Sequence, residues 1–460
     1  MLAKRGQYFI SLEKSYLSFL RKIYHSLSVK NKPEVLWEPD EAFIRSSNII
    51  KYIDWLEDNL NLSFKDYEEL WHWSVENPEI FWESMIEFFG VIYRGKYEKV
   101  ISGYNMPGAR WFSGMKLNYA ENIFKRSKRE GTAIVSVNEN GRRREISWQE
   151  LEKLVSSFSN HLRSIGVKKG DRVAAYITNT WEAVVAFLAS ASIGAIFSSL
   201  SPDFGAVGAM DRLGQIEPSI LIATDNYSYK GKRFDRSDVV SYLKRSIKSI
   251  KHVIKVGNSS QGEESFEEVL EMHKKEKLEF EEVDFEHPLW ILYTSGTTGL
   301  PKPVVHGHGG ITLEHLKASA LHHDIKPGDA FFWYTSTSWM MWNYMVGSMH
   351  SGARIVLYEG NPFYPDRYRL WELAEKEGIK LFGTSAPYIH TCMNENLEPG
   401  KNFNLKKLFS IGSTGSPLSA DGFRWAYRNV KEDLWIASIS GGTDVCTAFV
   451  GACPTRPVYA

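Results

Sequence analysis

Cysteine is scarce in this 460-residue chain: Cys392, Cys446 and Cys453 are the only three, an odd number with no CxxC spacing. That argues against both a disulfide framework and a zinc site, and fits a reducing, cytoplasmic setting. Net charge is equally scarce, because 55 Lys and Arg balance 55 Asp and Glu. No global field draws the chain to nucleic acid or to an acidic membrane, so any polyanion must be held locally. The N-terminus lacks the apolar core of a signal peptide. Residues 1 to 32 are rich in Lys and Arg with Glu13 the only acid, and read as an amphipathic helix in preference to a transit peptide. Long uncharged runs are also rare. One, "AVVAFLASASIGAIFSSLSP" at 183 to 202, is long enough to raise the question of a membrane span. Its five serines, small-residue clusters and closing Ser-Pro point instead to a buried helix followed by a short strand. There is no internal repeat and no low-complexity tract.

What is present can bury a large core: 43% of residues are hydrophobic and 13% aromatic, enough for two or more domains or subdomains. Residues 35 to 125 are dense in Trp and Tyr, with apolar residues at helical spacing and Asn77-Pro78 marking a helix start, so the region reads as helical. Before it lies a 1–34 extension, expected to be helical. From Gly131 the texture changes. "TAIVSV" reads as a strand, the segment from Ser147 to Gly166 as a helix opened by Ser147 with Glu150 three residues on, and "DRVAAYI" as a second strand. The series continues through "SILIAT", "HVIKV", "LWILY", "ARIVLY", "IKLFGT" and "KKLFSIG". Strands alternating with helices predict an α/β architecture with parallel sheets covered on both faces. The charged stretch 261 to 286 reads as a solvated connection containing a helix.

The strand "LWILY" runs into "TSGTTGLPK". A loop of this kind places backbone N–H groups and hydroxyls at the carboxyl edge of a sheet, where ligands of open α/β folds sit. Glycine allows close backbone approach, Thr294, Ser295, Thr297 and Thr298 offer donors, and Lys302 offers positive charge. Neither GxxxxGK[ST] nor GxGxxG can be written across it, and Ser, Thr, Gly and Pro also build ordinary turns, so these residues alone leave phosphate loop and plain turn both open.

The stretch "YTSGTTGLPK", 293 to 302, resembles the phosphate loop of the adenylate-forming enzymes, the superfamily of acyl-CoA synthetases, luciferases and peptide-synthetase adenylation domains. Two further stretches follow in the family's order. "IGSTGSPLS", 411 to 419, is similar to its adenine-binding turn, and "SISGGTDV", 438 to 445, to the motif that contacts the nucleotide phosphate and magnesium. The resemblance implies ATP or AMP binding by Thr294, Ser295, Gly296, Thr297, Thr298, Gly299, Lys302, Gly415, Ser416, Pro417, Ser440, Gly441, Gly442 and Thr443, catalytic roles for Lys302, Thr443 and Asp444, and Mg²⁺ on Asp444. It also implies the reaction. A carboxylate attacks the α-phosphate of ATP, pyrophosphate leaves, and a thiol then displaces AMP from the acyl-adenylate, with positioned amides, hydroxyls and cations stabilising the charge on phosphate.

"PGARWFSGMKLNYAENIF", 107 to 124, resembles the acetyl- and acetoacetyl-CoA synthetase branch, and the stretches around 336 to 366 and 438 to 459 look closest to its acetoacetate-activating members. The thiol implied is coenzyme A and the acid acetoacetate. Acetyl-specific relatives place a tryptophan where Gly441 stands, so Gly441 is expected to leave room for a four-carbon acid, with Trp339, Met340, Met341 and Thr414 as the other walls. A Met and Trp stripe also reads as ordinary core. "YKGKRF", 229 to 234, sits where relatives hold the 3′-phosphate of coenzyme A, making Lys230, Lys232 and Arg233 candidates against the alternative of a solvated basic turn. His306, His308, His322 and His323 have no carboxylate or cysteine spaced to complete a metal site, and His306 and His308 read as part of a loop-to-helix passage.

The fold implied is the large N-terminal domain of the adenylate-forming superfamily, two parallel-sheet α/β subdomains with a helical N-terminal extension, the AMP-binding part running from 126 to 460. The family's ribose-binding aspartate, hinge and lysine-bearing C-terminal domain find no counterpart here. The expectation is therefore a truncated or split ligase, inactive alone, with its missing part on a separate chain. A ligase for another short-chain acid and a non-catalytic nucleotide- or acyl-CoA-binding fragment are the competing readings.

Overall fold

The computed structural model describes residues 34–126, 129–257, 263–274, 276–294 and 299–460. Residues 1–33 of the expected 1–34 extension and the loop residues Ser295, Gly296, Thr297 and Thr298 lie outside the described residues.

Two seven-stranded sheets organise the chain. The first runs Glu264–Ser265, His252–Val256, Ile220–Thr224, Arg172–Tyr176, Ile196–Leu200, Pro288–Thr294, Lys302–Gly307, and is parallel except for its last strand. The second runs Trp435–Ser438, Ser410–Thr414, Leu381–Ser385, Ala330–Trp333, Arg354–Glu359, Thr132–Asn138, Arg143–Ser147, again with one antiparallel edge. Strands buried on both faces read as continuous apolar runs, which is why these segments stand out in the sequence. The antiparallel edge Lys302–Gly307 carries Pro303, tolerated there because an edge strand need not donate from every residue.

A single core contains strand residues of both sheets, among them Ile134, Val173, Phe331 and Ile355, together with the helix Trp181–Ser192. This helix and the following strand Ile196–Leu200 account for the uncharged run at 183 to 202, and from Ala183 to Ser192 every residue is buried. No helix among the described residues is long and apolar enough to cross a membrane. Ser147 caps the helix Trp148–Ser164 by accepting the N–H of Glu150, as the spacing predicts. The charged connection contains the helix Phe266–Met272.

Four helices, Glu41–Ser46, Asn48–Leu60, Tyr67–Glu76 and Pro78–Phe89, form the front of the molecule, the last with Pro78 in its first turn. The helical reading of 35 to 125 does not extend through 91 to 118, which runs as loops and two-residue strands before the helix Tyr119–Phe124. Gly95, Gly103, Gly108 and Gly114 all take positive φ there, which a helix cannot accommodate.

Candidate active site

The two sheets meet at the carboxyl ends of their strands, the place where open α/β folds hold ligands. After Arg172–Tyr176, the N–H of Asn179 donates to Glu359 Oε2 at 2.9 Å, at the end of a strand of the other sheet. Thr337 donates to the Ile177 carbonyl at 2.7 Å and Ser199 to the Thr337 carbonyl at 2.8 Å. Beside this seam lies a cavity of 480 Å³ with Tyr227, Tyr229, Tyr334, Trp339, Tyr358 and Glu359 among its lining. Burial pushes the Glu359 carboxyl up to about 7, with the nearby acids Asp203 and Glu139 adding to the rise and the Asn179 N–H opposing it.

The three motif stretches are tied to one another by specific bonds. Thr294 closes the strand Pro288–Thr294 and pairs across to Lys302, so the glycine-rich loop joins two antiparallel strands. The expected loop-to-helix passage thus contains a strand, Lys302–Gly307, and the helix begins only at His308. Paired Val304 and Val305 were the signal for it. Lys302 and Gly299 are exposed, with Gly299 at φ 105°. Across these two strands, Trp290 Nε1–H donates to His306 Nδ1 at 3.0 Å. This fixes the proton on His306 Nε2, which donates to the carbonyl of Asp444 at 3.0 Å. His306 is buried and neutral, its pKa lowered by desolvation against the opposing pull of the Asp444 and Thr443 carbonyls.

The second and third motifs are linked by Thr414, whose hydroxyl donates to the Ile439 carbonyl at 2.9 Å. Gly415, at φ 87°, turns the chain out of the strand Ser410–Thr414, and Ser416 and Pro417 are exposed beyond it. A Cβ on Gly415 would lie 3.7 Å from the Trp339 indole, so the cavity wall and this turn share one side chain. Ser440, Gly441 and Gly442 form a strand paired with Thr447–Val450, and Thr443 and Asp444 sit in the turn between, Thr443 half-buried and Asp444 exposed. His315 and His322 extend the tie begun by His306: they donate to the carbonyls of Cys446 and Ala452, each at 2.9 Å. Of the four histidines weighed as metal ligands, His306 and His322 thus act as clips to neighbouring carbonyls. His308 accepts the N–H of Tyr119 at 3.1 Å, and His323 is buried.

Two observations bear on the expected acyl walls. A Cβ on Gly441 would stand 1.9 Å from the Thr447 carbonyl oxygen, so the close approach of the neighbouring strand by itself calls for glycine there. Met340 and Met341 are 7% and 2% exposed and belong to the core shared by the sheets, while Trp339 is half-buried at the cavity. Lys230, Lys232 and Arg233 lie exposed on the hairpin formed by Asn226–Tyr229 and Lys232–Asp235, whose other residues Tyr227 and Tyr229 line the cavity. Among the described residues no group of three or more His, Cys, Asp or Glu could hold a metal ion by itself. Cys392, Cys446 and Cys453 are free thiols. Glu139, Asn179 and Glu359 escaped the sequence reading. Their signal was an acid or amide directly after a buried apolar strand, in "IVSVNEN", "VAAYITN" and "IVLYEG".

Residues 123–458 match the family model described as AMP-binding enzyme, and residues 67–123 match the acetyl-coenzyme A synthetase N-terminus. The acetoacetyl-coenzyme A synthetase of Rhizobium meliloti (strain 1021) is 38% identical over 431 residues, covering 92% of this chain and 66% of that protein. A malonamoyl-CoA synthetase of Penicillium aethiopicum is 33% identical, with 93% of this chain and 64% of that protein covered. The solved structure of acetoacetyl-CoA synthetase from Streptomyces lividans superposes with a TM-score of 0.88 at 41% identity, covering 93% of this chain and 67% of that one. The chain thus spans 66% of the length of the first of these relatives.

Proposed function

The chain belongs to the AMP-binding enzyme family, and on that premise we propose that it is the nucleotide- and acid-binding part of an ATP-dependent acid–thiol ligase acting on acetoacetate. The carboxylate attacks the α-phosphate of ATP, pyrophosphate departs, and the thiol of coenzyme A takes the acyl group from AMP. The observation that carries this reading is the position of Trp339, which lines the 480 Å³ cavity on one side and packs over Gly415 of the nucleotide turn on the other. An acid in the cavity would lie next to an adenylate at that turn, and proximity of this kind is a large part of what such a reaction needs.

The donor set fits the nucleotide. Thr443 and Asp444 present a hydroxyl and an exposed carboxylate from a turn whose backbone is held by His306, and Lys302 is exposed at the far end of the phosphate-type loop. A Mg²⁺ at Asp444 would take its other ligands from phosphate oxygens and water, as this hard cation commonly does. Bound there, it supplies charge neutralisation at the phosphates. Thr414 and Trp339 border the acid, and the basic hairpin with Lys230, Lys232 and Arg233 holds the phosphorylated end of coenzyme A. Free thiols are consistent with a cytoplasmic setting.

The relatives' remaining length, carried in continuation of this chain or on a separate one, would complete turnover. Acid-dependent pyrophosphate release by such a complete assembly tests the reading. Acetoacetate should be preferred over acetate and malonamate. Preference for malonamate would reassign the acid and keep the reaction class, and release with no acid would refute the class.

A further inference from the structure

Two walls of the cavity are held together by a carboxylate that lies outside every motif. Glu139 follows the strand Thr132–Asn138 and is 4% exposed. Its Oε2 accepts the backbone N–H of Lys230 at 2.9 Å and that of Asn361 at 3.0 Å, and its Oε1 accepts the N–H of Gly231 at 2.9 Å. Its own N–H donates to the Glu359 carbonyl at 2.8 Å. The three bound amides come from two separate segments: the tip of the 226–235 hairpin, and the bend that follows Arg354–Glu359.

The close approach depends on two glycines. Gly231 has φ 72°, and a Cβ there would meet the Tyr364 hydroxyl at 2.5 Å. Gly360 has φ 141°, and a Cβ there would meet Glu139 Cβ at 2.5 Å. A buried carboxylate accepting three amide hydrogens forms a charge-assisted set, stronger per bond than neutral pairs. Glu139 thereby fixes the hairpin against the bend. The hairpin turns Tyr227 and Tyr229 toward the cavity and leaves Lys230, Lys232 and Arg233 exposed around its tip.

We propose that Glu139 is a positioning residue for coenzyme A recognition, locking the Lys230–Gly231 tip so that the basic side chains of the hairpin meet the cofactor's 3′-phosphate in a fixed geometry. This rests on the hairpin's role in the proposed function. Glu139 itself touches backbone only, so its effect is expected on phosphate discrimination and not on the nucleotide site.

The 460-residue chain is titrated calorimetrically with coenzyme A, with dephospho-coenzyme A, which lacks the 3′-phosphate, and with MgATP, as wild type and as Glu139→Gln. Glutamine keeps the size but turns an NH₂ group toward an amide N–H, breaking at least one of the three bonds. Wild type should prefer coenzyme A by about tenfold or more, the value of one good charged phosphate contact. In the variant this preference should collapse toward unity, MgATP affinity should stay within about twofold, and amide hydrogen exchange should quicken across residues 226–235. Glu139→Asp, which keeps the charge but is too short to reach all three amides, should show the same split and serves if the glutamine variant does not fold. Retained preference in the variants overturns the positioning role while leaving the functional reading intact. Wild type without any preference overturns both the positioning role and the hairpin's part in coenzyme A binding. An equal loss for all three ligands also overturns the proposal, since that is what general destabilisation produces.

Discussion

His306 donates its Nε2 proton to the backbone carbonyl of Asp444 across 3.0 Å, joining the strand that leaves the glycine-rich loop to the turn that carries Thr443 and Asp444. The tautomer needed for this bond is imposed from the other side of the ring by Trp290.

Replacing His306 by alanine leaves the Trp290 N–H buried without its acceptor and releases the Asp444 turn. A loss of about 1–3 kcal/mol is expected, the usual cost of an unsatisfied buried donor. Denaturant unfolding measures that loss. MgATP titration should show weaker binding in the same variant, and unchanged binding would mean that the turn holds its shape without the histidine.

The neighbouring histidines make stability pH-dependent. Burial lowers His315 and His322 to about 4 and His323 to about 3. Their folded values lie below the unfolded value near 6.5, so the neutral fold is favoured above that pH, and stability is lost as pH falls from 6.5 toward 4. Near pH 5.5 the unfolded chain binds about three more protons through these groups, a slope on the order of 4 kcal/mol per pH unit. Melting temperature should fall steeply between pH 6.5 and 5, above the range in which ordinary carboxylates titrate. A flat profile there would contradict the burial of these rings.

Glu359 acts in the opposite sense. Its folded pKa of about 7 exceeds the ordinary carboxyl value, so its contribution is fully present below the unfolded pKa near 4.5 and is lost as pH rises through 7. Glu359→Gln keeps an oxygen for the Asn179 N–H and removes the charge. The variant should gain stability relative to wild type between pH 5 and 8, read from paired unfolding curves, whereas a pH-independent difference would place Glu359 in a better solvated setting.

Gly441→Ala tests why glycine stands there. A Cβ 1.9 Å from the Thr447 carbonyl must part the 440–450 hairpin, at a cost of about 1–3 kcal/mol or more. Faster amide exchange across residues 440–450 is the expected sign. A variant as stable as wild type would show that the space is open and restore the simpler view in which residue size at this position sets the acid.

Much of the fold was legible because parallel strands buried on both faces leave runs such as "VAAYI" and "RIVLY" that few other environments tolerate. Two sheets were expected from the family resemblance, but which strand joins which was not legible, since Thr132–Asn138 and Arg172–Tyr176 carry the same apolar texture yet pair in different sheets. The strand Lys302–Gly307 was obscured by Pro303 and His306 within it. At the site, loops rich in glycine and hydroxyls announce themselves, because their backbone geometry restricts the residues allowed. Glu139, Glu359 and His306 do not: a single acid at a strand's end or a histidine on an edge strand looks like surface, and only three-dimensional pairing with Gly231, Asn179 and Asp444 reveals what it holds.

Joint binding of nucleotide and acid is the central property of this site. Calorimetric titration of the 460-residue chain with MgATP, without and with acetoacetate, should give saturable binding that acetoacetate strengthens and that Lys302→Ala or Asp444→Ala weakens. Absence of MgATP binding, or binding indifferent to both substitutions, would contradict it.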